Sequence, residues 1–375
     1  MNKRLTLIGE DYPTIDAQGS GDAIRIVADG CNVSGFRCIN AGEYDAGIDI
    51  DSGENVIENN IIENNYYGIM VDYSNNTIEN NVIYANERGI LTASHWYMSI
   101  TTYFYTPRGI FLYKVFNLTD SSSNSSRILN NTIYGNAYGL NLGYTWNNIV
   151  KNNIIYMNQI GIYSYDSSRN CMKKNQIHNN VLSGIELSDS QANDISDNNI
   201  YNKYGLLLTV MYYKYRIVNN TILNNSIVNN EFGTKLVYSL NSTLINNTMS
   251  ENIYNLDISG GYTQNIDTTN KVDGKPVYYW VDQNDRQIPS DAGYVGLIGC
   301  RNIVVKDLIL ANNGQGLLIF NTISSRIENV SVWDNYYGIY IRSCENNTLD
   351  SNSVLYNYYG IGLKYSLYNT LHNNR

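Results

Sequence analysis

Cysteine is sparse in this chain and badly spaced for chemistry. Cys31, Cys38, Cys171, Cys300 and Cys344 are too few, too far apart and odd in number for a disulfide framework or a paired-cysteine zinc site, which leaves them as small buried hydrophobes. Histidine is sparser still. His95, His178 and His372 are widely separated and the seven methionines form no cluster, so the converging soft or imidazole ligands of a copper site are missing. Positive charge is also short: 25 Lys and Arg against 34 Asp and Glu give a net charge of −9, and the basic residues are scattered. That excludes nucleic acid or an anionic membrane surface as the main partner. No run approaches the roughly 18 to 20 apolar residues of a membrane span, and the opening residues lack the charged-then-apolar pattern of a signal peptide.

Against these shortages, and only four prolines, stand 35 tyrosines and an asparagine at almost every turn. Tyrosine favours strands, while asparagine tolerates the left-handed backbone of tight corners and stacks its amide on copies above and below. The distribution is periodic. A glycine heads a strand-like segment about every 21 residues, at Gly47, Gly68, Gly89 and Gly109, then Gly139, Gly161, Gly184 and Gly205, and again at Gly316, Gly338 and Gly360. The run Gly47-Ile-Asp-Ile-Asp-Ser-Gly-Glu-Asn-Val-Ile returns one unit later as Gly68-Ile-Met-Val-Asp-Tyr-Ser-Asn-Asn-Thr-Ile. A unit this short cannot bury a core alone, so neighbours must stack.

Within each unit the apolar residues alternate, which is strand rather than helix periodicity. The first and third residues after the glycine face inward, as Ile48 and Ile50, Ile69 and Val71, Leu140 and Leu142, Ile185 and Leu187, Ile339 and Ile341; the second and fourth face out. A second strand centres on Ile57, Ile78, Ile149, Ile195, Ile327 and Leu349, and a third on Ile62, Ile83, Ile154, Ile200, Val332 and Val354. Three strands per coil of about 21 to 23 residues, each bonded to its copy ~4.8 Å away, predict an all-β chain, a right-handed parallel β-helix with three sheets. Leucine-rich repeats share the period but need a leucine-dominated strand and a helical convex side, and neither is visible. Asn65, Asn86, Asn136, Asn158, Asn202, Asn313, Asn335 and Asn357, each three residues before a glycine, should stack into a structural ladder.

One solenoid is expected over residues 1–375, reading as a fragment because its first and last coils would leave strand edges bare. Its register breaks three times. Residues 89–130 read as irregular loops, Gly205 to Gly233 holds one lengthened coil, and 259–292 should project as a β excursion turning at Asp273-Gly274 between two helix segments. Loops on a rigid scaffold are where binding concentrates.

These coils, together with Leu5-Thr-Leu-Ile-Gly-Glu, Ile15-Asp-Ala-Gln-Gly, Val33-Ser-Gly-Phe and the insert Asp273-Gly-Lys-Pro-Val-Tyr-Tyr to Pro289-Ser-Asp-Ala-Gly, resemble the NosD-like β-helix repeat proteins. These form part of a wider group of carbohydrate-binding and sugar-hydrolysing β-helix domains found in archaeal surface proteins. The resemblance covers nearly the whole chain. It implies an extracellular or cell-surface location and contact with polysaccharide or a surface-layer protein, while the founding member implies a role in copper-site maturation. The Asn-Thr-Asp, Asp-Asp, Gly-His-Gly and Arg-Ile-Lys patches of polygalacturonase-like hydrolases, and the Asp-Pro-His-Asp patch of alginate-type epimerases, are not in the sequence.

Three groups of residues carry candidate chemistry. Asp49 and Asp51 face out of one strand, with Asp72 one coil beyond Asp51; carboxylates stacked roughly 5 to 7 Å apart suit a glycosidase acid pair or calcium. The column stops at Ala93, so a solvated acidic face is the plainer expectation and no cofactor is required, calcium being the one ion it would suit. Tyr66, Tyr67, Tyr138, Tyr204, Tyr336, Tyr337, Tyr358 and Tyr359 fall just before the glycines and should line one edge, either stacking on sugar rings or packing on one another. Of the many Asn-x-Ser/Thr sequons, Asn117 and Asn124 lie off register and are the preferred glycosylation candidates. The leading reading is a non-catalytic surface or secreted module that binds polysaccharide or a neighbouring surface protein. The alternatives are a polysaccharide lyase or glycoside hydrolase using the aspartates, and a copper-maturation accessory protein.

Overall fold

The computed structural model describes residues 1–93, 124–210 and 217–375, together with the backbone of Thr101–Thr106 and Gly109–Lys114. Among these residues every helix or strand element is a β-strand. The chain divides into two units, Met1–Ile149 and Val150–Arg375, and each is a right-handed parallel β-helix.

In the first unit one sheet stacks Thr6–Ile8, Asn32–Ser34, Val56–Glu58, Thr77–Glu79 and Arg127–Leu129. A second stacks Thr14–Asp16, Arg37–Ile39, Ile61–Glu63, Val82–Tyr84 and Thr132–Tyr134. The third, headed by the glycines, stacks Ile24–Ile26, Ala46–Ile50, Tyr67–Val71, Arg88–Ala93 and Tyr138–Gly143. Pairing is parallel and in register, Ile57 on Ile78, Ile62 on Ile83 and Ile69 on Ile90, so identical side chains meet their own kind inside the coil and are removed from water.

The recurring glycine answers to lack of room, since Gly47 has no left-handed φ. A Cβ on it would lie 2.7 Å from Ile62 Cγ2, 2.8 Å from Asn65 Nδ2 and 2.9 Å from the Gly68 carbonyl. The Asn-Asn doublets divide two tasks. Asn59, Asn64 and Asn80 take the left-handed corner, at φ of 54°, 56° and 56°, while Asn60, Asn65 and Asn81 turn inward and are buried. The buried partners build ladders at every corner: Asn55 to Asn76 (3.1 Å), Asn60 to Asn81 (3.1 Å) and Asn65 to Asn86 (3.2 Å). The period pointed to one of these ladders; two more run beside it.

The inward assignments hold at Ile57, Ile78, Ile62 and Ile83 but slip at Ile149 and Ile154, which are half-buried and exposed. Val150 and Ile155 take the core positions instead. The coil opened by Gly139 carries one extra residue at its first corner, and in a strand a shift of one residue exchanges the faces. Within the stretch 89–130 the described residues include a hairpin. Thr101–Thr106 pairs antiparallel with Gly109–Lys114, Thr106 opposite Gly109, and the coil is resumed by Asn124, whose carbonyl accepts from the Asn75 amide at 3.0 Å.

In the second unit the excursion is woven into the sheet. Lys271–Val272 pairs parallel with Thr248–Ser250 and turns back antiparallel onto Lys275–Val281. The corner is Asp273-Gly274, at φ of 47° and 80°. Lys275–Val281 then runs parallel to Tyr294–Ile298, and that strand to Gln315–Phe320. Both faces of the inserted strand are occupied: Val277 and Tyr279 are buried, while Tyr278 and Trp280 pack on the core of the last coils, built on Val295, Leu297, Leu317, Ile319, Ile339 and Ile341. Apolar residues on both faces keep this strand out of solvent, which is why it does not project.

Candidate functional site

In the first unit Asp49 leaves the strand Ala46–Ile50, opposite Arg25 of the preceding coil. Asp51 follows directly, its amide bonded to the Ile26 carbonyl at 2.8 Å, and the Asp72 amide donates to the Ile50 carbonyl at 3.1 Å, which sets Asp72 over Asp51. One carboxylate oxygen from each of the three lies within 4.8 Å of the others. The column ends there, and in Asp49's own column Met70 and Leu91 follow.

A solvated face is not what these residues form. Asp49 and Asp72 are each only 3% exposed. Arg25, missing from the sequence argument because its coil precedes the first recurring glycine, donates Nε to Asp51 Oδ2 at 2.7 Å and lies 3.3 Å from Asp49 Oδ2. Asp49 Oδ1 is buried and has no hydrogen-bond partner. Burial pushes the Asp49 carboxyl up to about 8; the neighbouring Asp22, Asp51 and Asp72 carboxylates add to this and Arg25 opposes it. Burial raises Asp22 as well.

Within each unit the tyrosines before the glycines pack on neighbouring side chains. In the first unit Tyr66 meets Tyr44 and Tyr67 edge-on at 4.8 and 4.7 Å, and Arg88 sits over Tyr67 and Tyr138 at 5.6 and 5.8 Å. In the second unit Tyr204 stacks on Phe232 (5.3 Å), Phe232 meets Tyr254 (4.8 Å) and Tyr254 meets Tyr336 (5.8 Å). Tyr336 then stacks on Tyr358 (5.0 Å) and Tyr337 on Tyr359 (4.7 Å), and the two pairs stand edge to face. Phe232 and Tyr254 were not anticipated as rungs, although Phe232 precedes Gly233 as Tyr204 precedes Gly205; Tyr254 precedes Asn255, which stands where the glycine would be.

Asn117 lies outside the described residues. Asn124 is half-buried, and its side-chain oxygen accepts from the Trp146 amide at 2.9 Å. The doublet sequons present their first asparagine better: Asn75, Asn130, Asn219, Asn224, Asn246 and Asn346 are exposed and left-handed.

The chain matches the family model described as "Periplasmic copper-binding protein (NosD)" over residues 9–117, 116–278 and 281–375. Among solved structures it is similar to the Dettilon tailspike protein gp208 at 12% identity and a TM-score of 0.46, covering 96% of this chain and 61% of that one. It is similar also to the A-module of the mannuronan C-5 epimerase AlgE4 of Azotobacter vinelandii (15%, TM-score 0.45, 91% of each chain). A third likeness is to the PL6 family alginate lyase AlyGC (11%, TM-score 0.45, 99% of this chain and 76% of that one). No curated protein sequence matches the chain. These likenesses say nothing of its activity.

Copper, which the family description implies, finds no fitting donors among the described residues. Cys31, Cys38, Cys300 and Cys344 are buried, and the Cys300 thiol is within reach of the Trp280 and Ile298 carbonyls at 3.4 and 3.5 Å. His178 is clasped between the rings of Tyr156 and Tyr201 at 5.3 and 4.9 Å, and His372 faces Asp350 at 3.1 Å. His95 lies outside the described residues. The one cluster of three ligating side chains found among the described residues is the aspartate trio, whose hard oxygens do not match copper's preference for thiolate and imidazole. The family itself is not in doubt: with its model matched over nearly the whole length, on coils of three parallel strands, the chain belongs to the NosD family of parallel β-helix proteins.

Proposed function

We propose that this NosD-family chain is a non-catalytic module that works outside the cytoplasm and binds a neutral polysaccharide along the second unit. The observation that carries this reading is the unbroken succession Tyr204, Phe232, Tyr254, Tyr336 and Tyr358, with Tyr337 and Tyr359 alongside, each ring within 5.8 Å of the next. Apart from buried Phe232, these rings are only partly covered or exposed. Carbon atoms in contact prefer a separation of roughly 3.5 to 4.0 Å. Parallel rings whose centroids are 5.0 Å apart, as in Tyr336 and Tyr358, must therefore slip sideways, and each leaves a strip of face uncovered beside its hydroxyl.

Apolar faces fringed by hydroxyls suit the alternating C–H and O–H surfaces of a sugar chain. The net charge of −9 favours a neutral glycan over a polyanion. A location outside the cytoplasm is supported by the periplasmic description of the family; no helix among the described residues is long and apolar enough to cross a membrane.

The test is a glycan array read in parallel with an assay for sugar release. Binding without turnover, weakened by Tyr336→Ala and Tyr358→Ala, is the expected result. Sugar release abolished by Asp49→Asn would replace this reading with a catalytic one, and retention of a surface protein with no glycan bound would replace it with a protein-docking one.

A further inference from the structure

We propose that Asp49, Asp51 and Asp72 form a binding site for a hard divalent cation, calcium by ligand type and size, in the first unit. The donors are oxygen only, the chemistry of calcium, magnesium and manganese sites. Calcium–oxygen bonds of roughly 2.4 Å let two ligands on opposite sides of the ion stand ~4.8 Å apart. The three carboxylates already lie within that span, 4.8 Å, with no side chain brought from elsewhere.

The backbone makes this spacing rigid. Asp51 and Asp72 directly follow strands paired Ile50 to Val71, and Asp49 lies on the first of these strands, two residues before Asp51. Stacked coils therefore supply what a binding loop supplies elsewhere, without the entropy of ordering a loop.

A second observation separates this cluster from an ordinary acidic patch. Asp49 is 3% exposed and its Oδ1 has no donor facing it, so a buried carboxylate oxygen is left without the hydrogen bond that burial demands. The charge balance agrees. Asp49 and Asp51 share the guanidinium of Arg25, whose side chain is 60% exposed and whose hydrogen bonds go to Asp51. Asp22, one coil earlier, adds a further carboxylate and is held by the Ala46 amide at 2.8 Å. A divalent cation supplies the missing positive charge, and Arg25 competes with it for Asp51.

That competition makes opposite predictions for two substitutions. Asp49→Asn removes a ligand and a charge while preserving shape, and Arg25→Gln removes the competitor. The full chain, stripped by chelation, is titrated calorimetrically with Ca²⁺, and with Mg²⁺ and Mn²⁺ separately, without any glycan present. Expected are one Ca²⁺ bound per chain with a Kd below about 1 mM, about tenfold or greater weakening in Asp49→Asn, and tightening in Arg25→Gln. Asp51→Asn, with a more exposed side chain, should weaken binding too and guards against a misfolded Asp49 variant. The proposal is overturned if the parent binds none of the three ions at about 10 mM, or if Asp49→Asn binds as the parent does. The glycan-binding variants lie in the second unit, so the two readings fail independently.

Discussion

Gln315 donates its Nε2 to Asp257 Oδ1 at 2.7 Å, although 58 residues of chain separate the two. The bond lies where the inserted hairpin interrupts the second unit, and it belongs to a small polar network inside the protein. Lys235 Nζ lies 3.0 Å from the other Asp257 oxygen, Ser259 Oγ donates to Oδ1 at 2.9 Å, and Gln315 Oε1 receives the Ile258 amide at 3.2 Å. Asp257 is 2% exposed. This carboxylate holds the strand before the insert to the strand after it.

Removing the cation should therefore cost more than removing the pair. Lys235→Met leaves a buried, uncompensated carboxylate and should destabilise the protein by about 3 to 5 kcal/mol. Adding Asp257→Asn to it should recover part of the loss. Denaturant unfolding of both variants checks the order; equal stability of the single and double variants would contradict it.

Two glycines of the first unit should behave oppositely. In Gly47→Ala the new methyl meets Ile62, Asn65 and the Gly68 carbonyl within 2.9 Å and should cost about 1 to 3 kcal/mol. At Gly143, whose φ is not left-handed, the nearest atom is Asn141 Oδ1 at 3.8 Å, so Gly143→Ala should be neutral or stabilising by up to about 1 kcal/mol through reduced chain entropy. Thermal melts of the two single variants decide it.

Asp49 should make the metal-free protein less stable as pH rises. Its carboxyl is held near 8 in the folded chain and titrates near the ordinary aspartate value of about 3.9 when unfolded. Between those values the native state holds a proton that the unfolded state has lost. The stabilising contribution is complete below about pH 4 and is lost as pH rises through 8, with a slope approaching about 1.4 kcal/mol per pH unit. In Asp49→Asn this slope should vanish. Melting temperatures of both proteins in chelator from pH 5 to 8 provide the measurement.

Tyr358→Phe separates recognition from packing. The ring keeps its slipped contact with Tyr336, so stability should change by less than about 0.5 kcal/mol, while glycan affinity falls by about fivefold through the lost hydroxyl. Tyr358→Ala should lose both. Unchanged glycan affinity in the Phe variant would place recognition elsewhere.

The period of the glycines was enough to set Asp51 under Asp72 and to turn Ile48, Ile50, Ile69 and Val71 inward, because each depends only on counting along stacked strands. It failed at Ile149 and Ile154, where one added corner residue is invisible to a count made from the glycine. It also could not show that Asp49 and Asp72 are buried, since a position known to point outward says nothing about what lies over it. Arg25 escaped for a related reason: the ruler begins at Gly47, one coil too late. The tyrosines were placed correctly before their glycines, but whether rings offer faces or edges depends on side-chain torsions, and an outward position does not determine them.

The asparagine ladders carry a direction. From Asn60 to Asn81 and on to Asn131, and from Asn175 to Asn198 to Asn225, Nδ2 of the earlier residue donates to Oδ1 of the later one. The amide dipoles therefore add along each unit, and each hydrogen bond polarises the next. At these corners the earlier asparagine presents amide protons to the later coil and the later one presents its side-chain oxygen in return. The side-chain contact from coil to coil is thus vectorial, while the strand edges around it offer donors and acceptors on both sides.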